Sequence, residues 1–270
     1  MKQAQQRKVA SPLAASDAPP RRTPGPRTLG GRTPSERPLT ISEQIADRVG
    51  IAIVKGEYRG GEHIPEQEIA AQFRVSHGPV REALRALERR GLVEVLPRRG
   101  AFAVEISLDA IADVFNIRGV LLGLAARNLA LRADVKSASA EFVARAGELN
   151  DLAAIRNTDP LAFAHAAGRA GAAVYRACGN APLLKTLRDQ SRGSLWGLMW
   201  REHTLDFLTF ERRRAAAADW MAAAKAVASG NGVKAEAIVR KALFESRDGA
   251  MLTLHKLRSG DVDASKFIHD

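Results

Sequence analysis

Hydrophobic and polar positions alternate with helical spacing in two blocks of this chain. The first block opens at Thr40-Ile41-Ser42-Glu43, a capping box in which a threonine and a glutamate satisfy free amides reciprocally. Ile45, Val49 and Ile53 follow on one face, and Gly56 stops the helix. Gly60-Gly61 marks a loop. A short second helix follows Pro65 and runs through Glu66, Ile69, Ala70 and Phe73, with Arg74-Val75 as a turn. Ser76 is expected to cap a third helix, with Pro79 in its first turn, where a missing amide costs little. Val80, Ala83, Leu84 and Leu87 share one face of this helix. Gly78, Arg81, Arg85 and Arg89 share the other, and Gly91 ends it.

The period then changes. Leu92 to Leu96 reads as a strand, Pro97-Arg98-Arg99-Gly100 as a turn, and Ala101 to Val104 as a returning strand. Three helices and a hairpin predict a winged helix-turn-helix over residues 39–105. From Ser107 the pattern is helical to about Arg258, with breaks near 133–139, 157–160, 179–182 and 229–232. Pro160 and Pro182 suit first turns. Six or seven helices in an antiparallel bundle are expected over 107–258, and a frayed tail over 259–270. The fold class is mainly α: an N-terminal winged helix-turn-helix plus a C-terminal all-α antiparallel helical bundle.

Composition refines this picture. The chain has 270 residues, 46% of them hydrophobic and only 5% aromatic, which favours closely packed helices over a sheet sandwich. Its formal charge is +11, pointing to a polyanionic partner. About half of that excess lies in residues 1–38, where eight lysines and arginines face only Asp17 and Glu36. That stretch is rich in Pro, Arg, Ser, Thr and Gly and buries too little to order itself. It reads as a disordered basic tail; it is either a solvated tail or an arm adding nonspecific phosphate affinity.

Cys178 is the one cysteine, so an intrachain disulfide and a cysteine-built zinc site are excluded. This fits a reducing compartment, and a cytoplasmic location is expected. No apolar run approaches the roughly 18 residues of a membrane helix, and no membrane partner is expected. No nucleophile with a neighbouring base occurs, serines lack a glycine-flanked elbow, and Gly30-Gly31 is no phosphate loop. Catalysis is therefore not expected, and no cofactor is.

The third helix carries the chemistry. Arg81 and Arg85 lie one turn apart on its polar face, where a guanidinium can bond two acceptors of a guanine or clamp a phosphate. Ser76 and Gln67 are placed to touch phosphate or bases. His77 bonds a phosphate or base, or merely occupies the first turn. Arg98 and Arg99 at the hairpin tip suit phosphate or a narrow minor groove, against a plain charged turn.

Residues 39–104 resemble the DNA-binding domain of GntR-type bacterial transcription regulators. The matching stretches are Ile41 to Ile45, Ile53 to Glu57, Ile64 to Ala70, Pro79 to Leu84, Gly91 to Val93 and Arg98 to Phe102. Residues 107–258 are similar to the all-helical FCD effector domain of the FadR-like subfamily, through Phe115 to Arg118, Ala177 to Leu184 and the alanine-rich last helices. The resemblance implies a homodimer that binds a pseudo-palindromic double-stranded DNA operator and responds to a small-molecule effector, often an organic acid. The alternative is a DNA binder whose bundle only dimerises.

Two departures from the family pattern bear on function. His77-Gly78 stands where the family usually has Arg-Thr, so the operator is expected to differ. The positions that hold a metal in many FCD domains fall on Ala167, Gly171, Trp220 and Ala242, and a family glutamate is replaced by Leu122. No metal is therefore expected. An acid must be held by arginine or amides, the ligand class has changed, or sensing is lost. Arg118 and Trp220 are the candidate effector contacts. Arg118 is expected either to pair with an effector carboxylate or to sit in a structural ion pair. Trp196, Trp200 and Trp220 read as core or pocket lining. His165 is out of register with a ligand slot, and His203 and His255 complete the histidines of this region. Asp206, Glu211 and Arg212-Arg213-Arg214 read as a solvated charged face.

Overall fold

The computed structural model describes residues 38–191, 195–200 and 204–259. The expected basic tail over 1–38 lies, but for Pro38, outside the described residues, as do His203 and all but the first residue of the frayed end. The chain divides into two units between Ile106 and Ser107.

In the first unit, α1 (Ile41–Lys55) begins with the anticipated box: Glu43 N–H donates to Thr40 Oγ1 at 3.2 Å and Thr40 N–H donates to Glu43 Oε2 at 2.7 Å. It ends at Gly56, whose φ of 80° is the left-handed conformation that lets its amide reach back to Ala52 and Ile53. Ile45, Val49 and Ile53 are buried. The second helix, α2 (Glu66–Phe73), ends at Arg74, which itself adopts φ 53°, so the tight turn is made without glycine. Next comes α3 (His77–Glu88), which buries Val80, Ala83, Leu84 and Leu87. Each of the larger three contributes about 1.5–3 kcal/mol by leaving water. Polar contacts fix the α1–α3 packing. Ser42 Oγ donates to Glu82 Oε2 at 2.7 Å, and the Arg90 guanidinium lies 3.5 Å from the buried Asp47 carboxylate.

Ser76 occupies the position before α3 with extended backbone, but its side chain makes no capping bond. Ser76 thus holds the expected cap position without the expected capping bond. The helix also ends at Glu88, before Gly91.

The wing holds one strand more than expected. It comprises β1 (His63–Ile64), β2 (Val93–Leu96) and β3 (Gly100–Ala103), in the order β1-β3-β2 with both pairings antiparallel. His63 pairs with Phe102 and Ile64 with Ala101. A two-residue strand leaves no alternation to detect, because its only sequence signal is one buried isoleucine. Gly100 has φ 91°, a left-handed backbone that favours glycine, and its missing Cβ leaves room for the His63 ring, whose Nε2 would lie 2.7 Å away.

The second unit contains α4 (Leu108–Ala130), α5 (Val135–Ala138), α6 (Ala140–Ala154), α7 (Pro160–Ala177), α8 (Ala181–Ser191), α9 (Leu195–Met199), α10 (Phe210–Ala228) and α11 (Gly232–Ser259). That is eight helices among the described residues, two of them of four and five residues, against the six or seven expected. All four anticipated breaks occur. Asp159 caps α7 by accepting from Leu161 and Ala162 amides, and Pro160 opens its first turn. Phe115, Phe142, Phe163, Leu129 and Leu149 are fully buried between the helices. Alanine abundance has a packing consequence: small side chains let helix axes approach. α4 packs closely on α11, where a Cβ on Gly123 would lie 2.6 Å from Arg240 Cγ. No described helix is long and apolar enough to cross a membrane.

Candidate nucleic-acid interface and helical-unit sites

The polar face of α3 is the outward one. His77, Gly78, Arg81, Arg85 and Arg89 are exposed, as is Ser76 just before the helix. Successive helical turns therefore present His77, Arg81 and Arg85, with Arg89 at the C-terminal end. Gln67 is exposed on the first turn of α2. Arg98 and Arg99 are exposed at the β2–β3 turn, where Arg98 takes φ 62° and the Arg99 guanidinium sits 5.8 Å over the Phe102 ring. Every residue singled out in the first unit is thus at a surface.

One participant was not anticipated. Arg81 Nε donates to Glu66 Oε2 at 3.1 Å, although the Arg81 side chain remains 69% exposed. The acid comes from the start of α2, fifteen residues earlier, so no periodicity links the pair. Arg85 has no side-chain partner among the described residues.

In the helical unit, Arg118 is buried, and no carboxylate pairs with it among the described residues. The structural ion pair is replaced by neutral partners. Arg118 donates to Leu187 O at 3.3 Å, Gln190 Oε1 at 3.4 Å and Ser191 Oγ at 3.0 Å, and its guanidinium lies 4.5 Å over the Trp196 ring. Burial pushes its pKa down to about 10, opposed by Tyr175, so it stays charged at neutral pH. Trp196 belongs to an aromatic cluster with Phe115 at 4.9 Å and Trp200 at 5.5 Å. His165 Nε2 lies 2.8 Å from the Trp200 carbonyl oxygen, which gives that imidazole a backbone partner.

Trp220 is a core residue, edge-on to Phe142 with centroids 6.0 Å apart. A Cβ placed on Gly171 would lie 3.4 Å from Leu122 Cδ2 and 3.6 Å from Trp220 Cη2. Three positions separated in sequence therefore meet, and an indole and an isobutyl group fill the space. Ala167 and Ala242 are buried as well. None of these side chains can ligate a metal, and no cluster of three or more His, Cys, Asp or Glu suited to a metal occurs among the described residues.

The supposed charged face around Asp206 is mostly interior. Asp206 and Arg213 are each 3% exposed. Asp206 accepts from Phe207 N–H at 2.7 Å and holds the Arg212 fork at 3.0 and 2.8 Å. Burial raises the Asp206 pKa, against the opposing pull of the Arg212 guanidinium. Arg213 donates to Phe207 O at 2.9 Å and Arg156 O at 2.8 Å. Residues 204–209 form an irregular segment, which Arg213 anchors through the Phe207 carbonyl and Arg212 through the Asp206 carboxylate. Glu211 and Arg214 are exposed, as expected.

A helix-turn-helix with a three-stranded wing and a cationic outer helix, joined to an all-helical unit, defines the class of winged DNA-binding regulators. Sequence comparison makes this specific. A family model described as bacterial regulatory proteins, gntR family, matches residues 41–103, and an FCD domain model matches residues 113–244. The chain belongs to the GntR family of bacterial regulatory proteins and carries an FCD domain. A probable D-xylose utilization operon transcriptional repressor of Paenarthrobacter nicotinovorans is 33% identical over 146 residues, covering 54% of this chain and 63% of that protein. The chain spans less than two thirds of the length of the curated relatives it matches. Two solved structures share the fold. Lar, which controls expression of the Listeria monocytogenes agr system, has a TM-score of 0.55 at 17% identity, covering 82% of this chain and 99% of its own. Escherichia coli McbR/YncC has a TM-score of 0.52 at 16% identity, covering 81% and 98%.

Proposed function

We propose that this protein is a cytoplasmic, non-enzymatic transcription regulator that binds a pseudo-palindromic operator as a homodimer and answers to a small-molecule effector. The observation that carries this reading is the exposed Arg81–Arg85 face of α3, presented beside an exposed Ser76 and a basic wing tip. Two such helices, one per subunit, enter successive major grooves. Arg81 and Arg85 read base edges or clamp phosphates, and Ser76, His77, Gly78 and Gln67 lie against the backbone or bases beside them. Arg98 and Arg99 reach phosphate or the minor groove. Phosphate contacts supply most of the affinity, and base contacts supply the selectivity. The relative from Paenarthrobacter nicotinovorans is described as a repressor, which favours repression here.

The domain assignment follows: residues 39–105 bind DNA, and 107–258 dimerise and take the effector. An organic acid reaching Arg118 competes with the Gln190 and Ser191 side chains at the end of α8. Ligand binding and the placement of α8 are then coupled, and only such unequal affinity for two arrangements shifts an equilibrium. Trp196, whose ring lies under the guanidinium, replaces Trp220 as the expected contact. The second reading, an inert dimerising bundle, draws on the neutral partners already gathered around Arg118.

Fluorescence anisotropy with the intergenic DNA beside the gene tests the reading. Wild type binds one site with a steep salt dependence and Arg85→Ala loses selectivity. Equal affinity of wild type for that DNA and for scrambled duplex defeats it.

A further inference from the structure

The first helix of the second unit, α4, buries one face against its neighbours and leaves a regular stripe on the other. Asp113, Ile117, Val120, Leu124, Arg127 and Leu131 are all exposed, at alternating spacings of four, three, four, three and four residues. That spacing is the heptad seam with which one helix packs lengthwise on another. Ile117 is 54%, Val120 45% and Leu124 39% exposed, and Leu131 at the helix end is 63% exposed. Other large exposed apolar residues, such as Val233 and Leu252 on α11, stand singly. A continuous apolar seam left in water marks a covered face.

Charge selects the occupant. Asp113 stands about two turns before the apolar centre and Arg127 about two turns after it, each seven residues from Val120. Asp113 accepts only from Asn116 at 3.4 Å and has no cationic partner among the described residues. Arg127 lies 3.4 Å from Glu236 yet remains 48% exposed. Two copies of α4 laid antiparallel, with a twofold axis near Val120, bring Asp113 of each copy to Arg127 of the other over a seam about 21 Å long at 1.5 Å per residue. The apolar residues meet in between. A parallel pairing would stack like charges at both ends. The seam is thus complementary to itself in one orientation, as an isologous dimer interface must be.

We propose that the α4 seam is where a second copy of this chain docks, antiparallel, with Val120 near the twofold axis. This rests on the homodimer reading and specifies its face.

The test is the mass of the full chain by light scattering, with cysteine cross-linking. Wild type runs at twice the 29.1 kDa chain mass. Val120→Glu, at an exposed position, runs as a monomer with unchanged circular dichroism. Leu252→Glu stays dimeric. Val120→Cys forms a disulfide dimer under mild oxidation, whereas wild type, whose Cys178 is buried, does not. Mixed Asp113→Cys and Arg127→Cys chains form a heterodisulfide that neither forms alone. A wild-type dimer that survives Val120→Glu overturns the face while leaving the homodimer standing. So does a wild-type dimer with no Val120→Cys cross-link. Cross-linking of Asp113→Cys with itself overturns the antiparallel orientation. A wild-type monomer at about 100 µM removes the homodimer reading itself.

Discussion

The Arg81 guanidinium is held by Glu66, with Nε 3.1 Å from Oε2, across the turn that separates α2 from α3. The pair is exposed enough that it adds no more than about 1 kcal/mol to folding. On the proposed reading its effect is on recognition: Glu66 orients the Arg81 guanidinium and partly offsets its charge, which weakens its pull on a phosphate.

Arg81→Ala is expected to lower operator affinity by about 1–3 kcal/mol while leaving scrambled DNA less affected, because a bidentate base contact is lost. Gel shifts and circular dichroism on one preparation check this. Undiminished preference for the operator would remove Arg81 from the reading face.

Glu66→Gln should act in the opposite sense. Binding to any duplex rises a few-fold, the ratio of operator to scrambled affinity falls, and the urea midpoint is unchanged. A rise confined to the operator would show that Glu66 does not restrain nonspecific contact.

Arg98→Ala and Arg99→Ala are expected to weaken binding to all sequences about equally. Each should reduce the slope of log K against log salt by about 0.9 if it removes one phosphate contact. A titration from 50 to 300 mM salt measures it; an unaltered slope places the wing away from the backbone.

Arg213→Ala should destabilise the helical unit by about 2–4 kcal/mol. It leaves the Phe207 and Arg156 carbonyls without donors and opens a void. Urea unfolding followed by tryptophan emission reads this directly. A loss below about 0.5 kcal/mol would mean that the segment is not anchored as described.

If an organic acid binds at Arg118, tryptophan emission changes on titration, Trp196→Phe abolishes the change and Trp220→Phe keeps it. A response carried by Trp220 instead would move the site to the core beside Gly171. Silence to a broad panel of acids favours the inert bundle.

The parts legible in the sequence are those governed by local rules. The α3 face and the glycine stop of α1 could be read because period and terminal residues act within a few positions. The α7 start at Pro160 was legible for the same reason. Asp206 and Arg213 could not, since charged residues default to the surface. Asp206 is buried against the Phe207 amide and the Arg212 fork, and Arg213 against the Phe207 and Arg156 carbonyls, partners set by an irregular segment in which Phe207 takes φ 66°. The Arg81–Glu66 pair escaped because a turn of particular geometry creates it. Trp220 could be located by counting from family landmarks, but the count does not say that its ring fills the space beside Gly171.

The two residues of β1 close the wing sheet with a strand that lies upstream of its partners, His63 pairing with Phe102 and Ile64 with Ala101. Bringing partners so far apart together carries an entropic cost of loop closure that the local β2–β3 hairpin does not. A nascent chain cannot present a finished wing until Phe102 has left the ribosome.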